Sequence, residues 1–211
     1  MLHRKLTGFL VSILVVSLAS LAVAGIPDPV NSFAELDPAA VGAGVFNLPN
    51  GQGAGFDEAF DGAGNGVDAT VTLYLRDAND DAIVGYPFED LALASSAGGL
   101  VACPAGMVAD FSTDAMGMTE WQNAKFAGGY TDGETVNVYI AGTPLSHPGL
   151  NLLFNSADIS GDLVVNLTDV SLFAGDFMVG PYHFRSDFVY DGSLNLSDVT
   201  LLAQGNGTSC P

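Results

Sequence analysis

The chain has 211 residues, 48% of them apolar, with 26 glycines and 10 prolines. That is apolar enough to bury a core and too rich in turn residues for a helical bundle. Only 14% of residues are charged, and 24 acids face five cations; so acidic a surface repels phosphate backbones and anionic headgroups, which excludes nucleic-acid binding.

His3-Arg4-Lys5 precede an apolar run, Phe9 to Ala24, broken only by Ser12, Ser17 and Ser20. Its 16 residues fall short of the roughly 20 that a membrane-spanning helix needs. The run ends in Ala22-Val23-Ala24, a small-x-small cleavage pattern, before Gly25-Ile26-Pro27. Residues 1–24 therefore read as a signal peptide, and the protein as secreted or extracellular at the cell surface, with no stable membrane span after cleavage; an uncleaved N-terminal anchor is the competing reading, disfavoured because no second basic flank follows. The mature chain keeps three cations, Arg76, Lys125 and Arg185, against all 24 acids, a formal charge of −21. Cys103 and Cys210 would then meet an oxidising compartment, where two cysteines allow one intramolecular pairing. The alternative is two thiols, free or paired between chains. Neither lies in a C-x-x-C or a Cys/His cluster, so a zinc site and a thiol nucleophile both lack their partners.

Residues 29–66 are rich in glycine, at Gly42-Ala43-Gly44, Asn50-Gly51-Gln52-Gly53 and Gly62-Ala63-Gly64-Asn65-Gly66. With no basic residue or helix start beside them these are turns, not phosphate cradles. One or two strands are expected among them, Ser32–Leu36 and Val45–Leu48. From Val67 the pattern alternates: Val67, Ala69, Val71, Leu73 and Leu75 on one face, Asp68, Thr70, Thr72, Tyr74 and Arg76 on the other. A period of two is a half-buried strand. Ala82–Phe88 reads as extended, and further short strands are expected at Leu91–Ala94, Val108–Phe111, Gly117–Gln122 and Val136–Ala141. Gly98-Gly99, Pro104-Ala105-Gly106, Gly128-Gly129 and Asp132-Gly133 punctuate them. Short strands so punctuated predict an antiparallel β-sandwich over 25–147, then a linker over 148–155.

Thr72-Leu73-Tyr74-Leu75-Arg76-Asp77 with its Asp80-Asp81 turn, and Thr113-Asp114-Ala115-Met116-Gly117-Met118-Thr119-Glu120-Trp121, resemble strands of bacterial immunoglobulin-like adhesin domains. The resemblance covers Val67 to Thr143. Trp121 has no flanking inter-sheet cysteine pair, so an antibody-type core is excluded. Asp114 is expected as a turn residue and Trp121 as a core plug.

The C-terminus carries an internal repeat. In Asp158-Ile159-Ser160-Gly161-Asp162-Leu163-Val164-Val165-Asn166-Leu167-Thr168-Asp169, oxygen-bearing side chains occupy positions 1, 3, 5, 9 and 12. Twenty-nine residues later, Asp187, Asp191, Asn195 and Asp198 repeat positions 1, 5, 9 and 12. This is the ligand spacing of an EF-hand-type loop, in which Ca²⁺ takes six to eight hard oxygens. Position 7 contributes a backbone carbonyl, here Val164 and Ser193. Each loop runs into a helical pattern: Leu167, Val170, Phe173, Ala174 and Phe177 match Leu196, Val199, Leu202 and Ala203. Two acidic turns that merely cap helices are the alternative. Asn166, Asn195 and Asn206 begin N-x-S/T sequons, the first two at ligand positions.

A duplicated loop–helix unit with Asp at position 12 resembles the dockerin type I module, over Ser156 to Gly205. The resemblance implies two calcium ions in facing half-modules, within a paired loop–helix, EF-hand-like module at 156–211, and docking to a cohesin-like partner or another surface protein. Three departures stand out: Leu163 at position 6, where the turn favours Gly; Val189 at position 3, which removes a ligand; and Leu167-Thr168 and Leu196-Ser197 in place of the polar Ser-Thr recognition pair. A pseudo-two-fold module brings its chain ends together, which would set Cys210 near 148–155, within reach of the turn-rich Cys103 segment. Cys103–Cys210 is the expected staple; a buried free Cys103 with a frayed Cys210 is its rival.

Nothing in the sequence assembles a catalytic set. His147 and His183 sit beside Pro or Tyr, and Ser146-His147 lack a nucleophile elbow. The expectation is a non-enzymatic attachment or scaffolding protein, mainly β with a small α module. The alternatives are a structural surface or adhesin subunit in which the module is an intramolecular calcium clip, or a small carbohydrate-binding or carbohydrate-active protein tethered by it.

Overall fold

The computed structural model describes residues 25–179 and 181–211; the expected signal peptide, 1–24, lies outside the described residues. The chain forms β1 (Phe33–Leu36), β2 (Gly44–Asn47), β3 (Ala59–Phe60), β4 (Gly66–Val67), β5 (Val71–Tyr74) and β6 (Leu91–Ser95). It continues through β7 (Leu100–Ala102), β8 (Met118–Trp121), β9 (Ala127–Gly129), β10 (Val136–Ile140), β11 (Thr143–Pro144) and β12 (Leu153–Ser156). Two helices follow, α1 (Leu167–Val179) and α2 (Leu196–Gly205). The protein is mainly β. No described helix is long and apolar enough to cross a membrane.

The antiparallel sheets β1-β5-β8 and β11-β10-β6 send their inward residues into one core, Val71, Leu73 and Trp121 from the first, Leu91, Leu93, Val136, Val138 and Ile140 from the second. Along β5, β6 and β10 burial alternates residue by residue, as the sequence pattern requires. Trp121 is wholly buried, and its indole N–H donates to the Met107 carbonyl at 3.0 Å. Asp114 shapes its turn by accepting the N–H groups of Met116 and Met118.

Several expected strands change. The Val67–Arg76 strand is interrupted because the Asp68 carboxylate accepts the Thr70 N–H at 2.9 Å, a local turn that separates β4 from β5. Ala82–Phe88 makes a single bridge to Arg76, since Gly85 turns left-handed at φ 71°. Val108–Phe111 likewise reduces to the bridge Ala92↔Val108.

The largest correction concerns residues 148–155. They form no linker: Leu152 and Phe154 are wholly buried, and Phe154 packs edge-on to Phe56 at 5.6 Å. The apolar triplet Leu152-Leu153-Phe154 carries the segment into the core. Among the described residues the strand pairs within 25–147 are antiparallel, as expected, and the segment after them adds a parallel pair, β12 with β2, Leu153↔Gly44 through Ser156↔Asn47, in the sheet β12-β2-β3-β4. A second core follows from that pairing. Phe46 and Leu48 meet Ala157, Ile159, Val165, Phe173, Phe188 and Leu202, with Phe188 between Phe46 (5.2 Å) and Phe173 (5.7 Å). Residues 156–211 therefore share a core with the β body.

Candidate metal centre

The first repeat unit begins at the end of β12 and the second after a 3-10 turn at Phe184–Ser186. The two close in the same way. Position 1 is a buried carboxylate that accepts from the N–H groups of positions 5 and 6: Asp158 from Asp162 (3.2 Å) and Leu163 (2.8 Å), Asp187 from Asp191 (3.2 Å) and Gly192 (2.8 Å). Position 12 accepts from positions 3 and 9: Asp169 from Ser160 (2.9 Å) and Asn166 (2.8 Å), Asp198 from Val189 (3.3 Å) and Asn195 (2.8 Å). Position 5 accepts from position 7: Asp162 from Val164 at 3.0 Å, Asp191 from Ser193 at 2.9 Å. Position 9 donates its amide N–H to the position-7 carbonyl, Asn166 to Val164 at 3.0 Å and Asn195 to Ser193 at 3.3 Å. The same asparagines cap the helices by accepting from Thr168 and Ser197.

Closing so tight a loop needs left-handed backbone at positions 4 and 6. Gly161 and Leu163 adopt φ 70° and 68° in the first loop, Tyr190 and Gly192 54° and 79° in the second. Each loop thus has one glycine and one residue held left-handed at a cost of about 1–2 kcal/mol. Leu163 departs from the usual glycine without departing from its backbone, and the glycine has moved to position 4.

Asp158, Asp169, Asp187 and Asp198 are buried, whereas Ser160, Asp162, Asp191 and Ser193 face solvent and Asn166 and Asn195 are half-buried. Carboxylate oxygens of Asp158, Asp162 and Asp169 lie within 4.8 Å of one another. Oxygens on opposite sides of a calcium ion stand about 4.6–5.2 Å apart, so this donor set fits one ion. Burial pushes the Asp158 carboxyl above the ordinary carboxylate range, and the charges of Asp169 and Asp162 add to the rise. Burial likewise raises Asp198, with Asp187 adding to it. Asp187, Asp191 and Asp198 do not converge to that spacing; the Tyr182 hydroxyl donates to Asp187 at 2.8 Å, a contact the sequence does not announce.

The helical stripes are only partly inward. Phe173 and Leu202 are buried, but Leu167 and Leu196, at equivalent positions, are 76% and 75% exposed. Between the loops, Asp176 binds Arg185 through two hydrogen bonds of 2.7 Å and accepts the Ser186 hydroxyl at 2.7 Å. Burial acts to raise the Asp176 carboxyl, but the hydrogen bonds from Arg185 and Ser186 and the guanidinium charge hold it below its ordinary value. Ser186 is wholly buried with its proton directed at that carboxylate, an arrangement for fastening rather than nucleophilic attack. Cys103 and Cys210 are disulfide-bonded, with Cα atoms 5.8 Å apart. Cys103 sits beside Phe126, whose carbonyl accepts its N–H at 2.9 Å.

No family model matches the chain, and neither does any curated protein. Among solved structures, the crystal structure of the Lin-41 filamin domain aligns with 61% of this chain and 95% of its own, at 15% identity and a TM-score of 0.31.

Proposed function

We propose that this chain is an exported, non-enzymatic protein of the extracellular space or cell surface, built as an immunoglobulin-like β-sandwich with a dockerin-like loop–helix unit at its C-terminus. That unit binds Ca²⁺ and acts as an intramolecular clip on the sandwich. The observation that carries this reading is the hydrogen-bond frame common to both loops. It repeats over 29 residues and gathers three carboxylates of the first loop to the spacing of one ion. The second core, drawn from Phe46 and Leu48 as well as the repeats, favours a clip over a tethered module.

A second reading keeps the clip and adds docking. Leu167, Phe177 and Met178 of α1 and Leu196 and Val199 of α2 are exposed apolar side chains, a surface for a cohesin-like or other surface protein.

Calcium titration of the whole chain tests the metal. Asp158→Ala with Asp162→Ala should weaken binding more than Asp187→Ala with Asp191→Ala, since the first loop has the fuller oxygen set and ligand number tunes affinity. Equal losses would mean that loop rigidity outweighs ligand number. Absence of calcium uptake by the unaltered protein would overturn the reading.

A further inference from the structure

The glycines at 128 and 129, which read as a turn, form β9 and lie against the first acidic loop. A Cβ placed on Gly128 would stand 1.8 Å from Asp158 Oδ2, 2.7 Å from its Cγ and 3.1 Å from its Cβ. Real Cβ atoms do not approach so closely, so the bare Cα is what lets the position-1 carboxylate lie there. The carboxylate cannot simply swing aside. Its Oδ2 holds the Leu163 N–H at 2.8 Å and its Oδ1 the Asp162 N–H at 3.2 Å, and both bonds set the path of the loop. Gly129 completes the seat by donating its N–H to the Asp158 carbonyl at 2.8 Å.

Among the described residues β9 pairs with β7 alone, three residues against three, Leu100↔Gly129 through Ala102↔Ala127. A two-stranded ribbon is marginal on its own, so its order depends on what it packs against. Here that includes the loop, whose Gly161 lies with its Cβ direction 3.2 Å from a Val101 methyl.

We propose that Gly128 is a positioning residue for the first loop, and that cation occupancy of the loop and order in the β7–β9 ribbon are coupled in both directions. This rests on the calcium reading above. An ion fixes the Asp158 carboxylate, which fixes the surface on which β9 lies; a side chain at 128 displaces the carboxylate and removes a ligand. Gly128 is not left-handed, so alanine is allowed by its backbone and the effect is steric alone.

The test uses the full chain with CaCl₂ as the probe. Gly128→Ala should bind one calcium fewer per chain than the unaltered protein, or bind it about 10–100-fold more weakly, the usual cost of disturbing a group that orients a metal ligand. Undiminished number and affinity in a folded variant would overturn the coupling. Hydrogen exchange on the unaltered protein provides a reading that does not depend on the variant folding. Calcium should slow exchange of the amides at 100–102 and 127–129 at least about tenfold relative to those at 136–140, because the ribbon opens locally and the β10 sheet does not. Proven calcium binding with unchanged ribbon exchange refutes the inference and spares the metal reading. A chain that takes up no calcium overturns both.

Discussion

Replacing both cysteines, Cys103→Ala with Cys210→Ala, separates what the disulfide does to the folded chain from what it does to the unfolded one. The bridge spans 107 residues, and closing a loop of that length restricts the unfolded ensemble by about 4.8 kcal/mol at 25 °C. The folded ends are held by other bonds. Cys103 donates to Phe126, and the chain before Cys210 is laid beside the first loop by Val165 N–H to Thr208 (2.9 Å) and Gly207 N–H to Val165 (2.9 Å). The native structure should therefore survive, with nearly the whole loss coming from the unfolded side. At about 2–4 °C per kcal/mol for a chain of this size, melting should fall by roughly 10–20 °C. Urea unfolding is the sharper assay, since the midpoint should drop while the m-value rises, the uncrosslinked unfolded chain exposing more surface. A loss under about 1 kcal/mol with an unchanged m-value would refute the loop-entropy reasoning.

Chelating calcium should lower the melting of the whole chain in one transition, because the second core joins Phe46 and Leu48 to the repeats; a site held at 100 times its Kd adds about 2.7 kcal/mol. A calcium-sensitive transition separate from a calcium-insensitive one in calorimetry would contradict the shared core. In chelator, Asp158 and Asp198, whose folded-state pKa values are raised, should favour the folded chain as pH falls toward the ordinary carboxylate value of about 3.9, and lose that contribution as pH rises through the folded values; an Asp158→Asn, Asp198→Asn variant with the same pH dependence of melting as the unaltered protein would contradict it. Asp176→Ala should cost about 2–4 kcal/mol in urea unfolding, below the upper range for a broken buried pair because Arg185 keeps 27% of its side chain exposed; a loss under about 1 kcal/mol would show the contact to be incidental.

The β body was legible where strands are half-buried and local. The alternation at Val71–Leu75 is the pattern of inward and outward side chains that β5 displays, and the expected strands at Ser32–Leu36 and Val45–Leu48 overlap β1 and β2. The repeat was legible because a loop that closes on itself draws its partners from twelve consecutive residues. What stayed illegible depends on distant chain. Gly128-Gly129 reads as a turn by composition but is drawn into a strand by β7, some 27 residues earlier, and Asp158, 30 residues later, leaves no room at 128 for a side chain. Residues 148–155 read as a linker because their pairing partner, β2, lies over a hundred residues earlier. The Asp176–Arg185 contact spans a helix end and a 3-10 turn whose relative placement no local spacing fixes.

The scarcity of cations gives these particulars a common cause. Of the three Lys and Arg side chains after residue 24, Lys125 is buried in an ion pair with Asp110 and Arg185 is bound to Asp176. Both pairs fasten chain segments: Asp110 also accepts the N–H groups of Gln122 and Asn123, and Asp176 holds α1 against the turn at Phe184–Ser186. Arg76 makes no ion pair among the described residues. The buried carboxylates of Asp158, Asp169, Asp187 and Asp198 are thus left to neutral donors, backbone N–H groups with the Tyr182 hydroxyl at Asp187 and the Ser160 hydroxyl at Asp158, which satisfy their oxygens and cancel none of their charge. Burying so many like charges without a counter-charge is unfavourable, and the raised carboxyls of Asp158 and Asp198 register that cost. On the calcium reading, a divalent ion supplies the positive charge the sequence omits. Its binding and the chain's folding then become one equilibrium, which is why a module sharing its core with the β body should not melt alone.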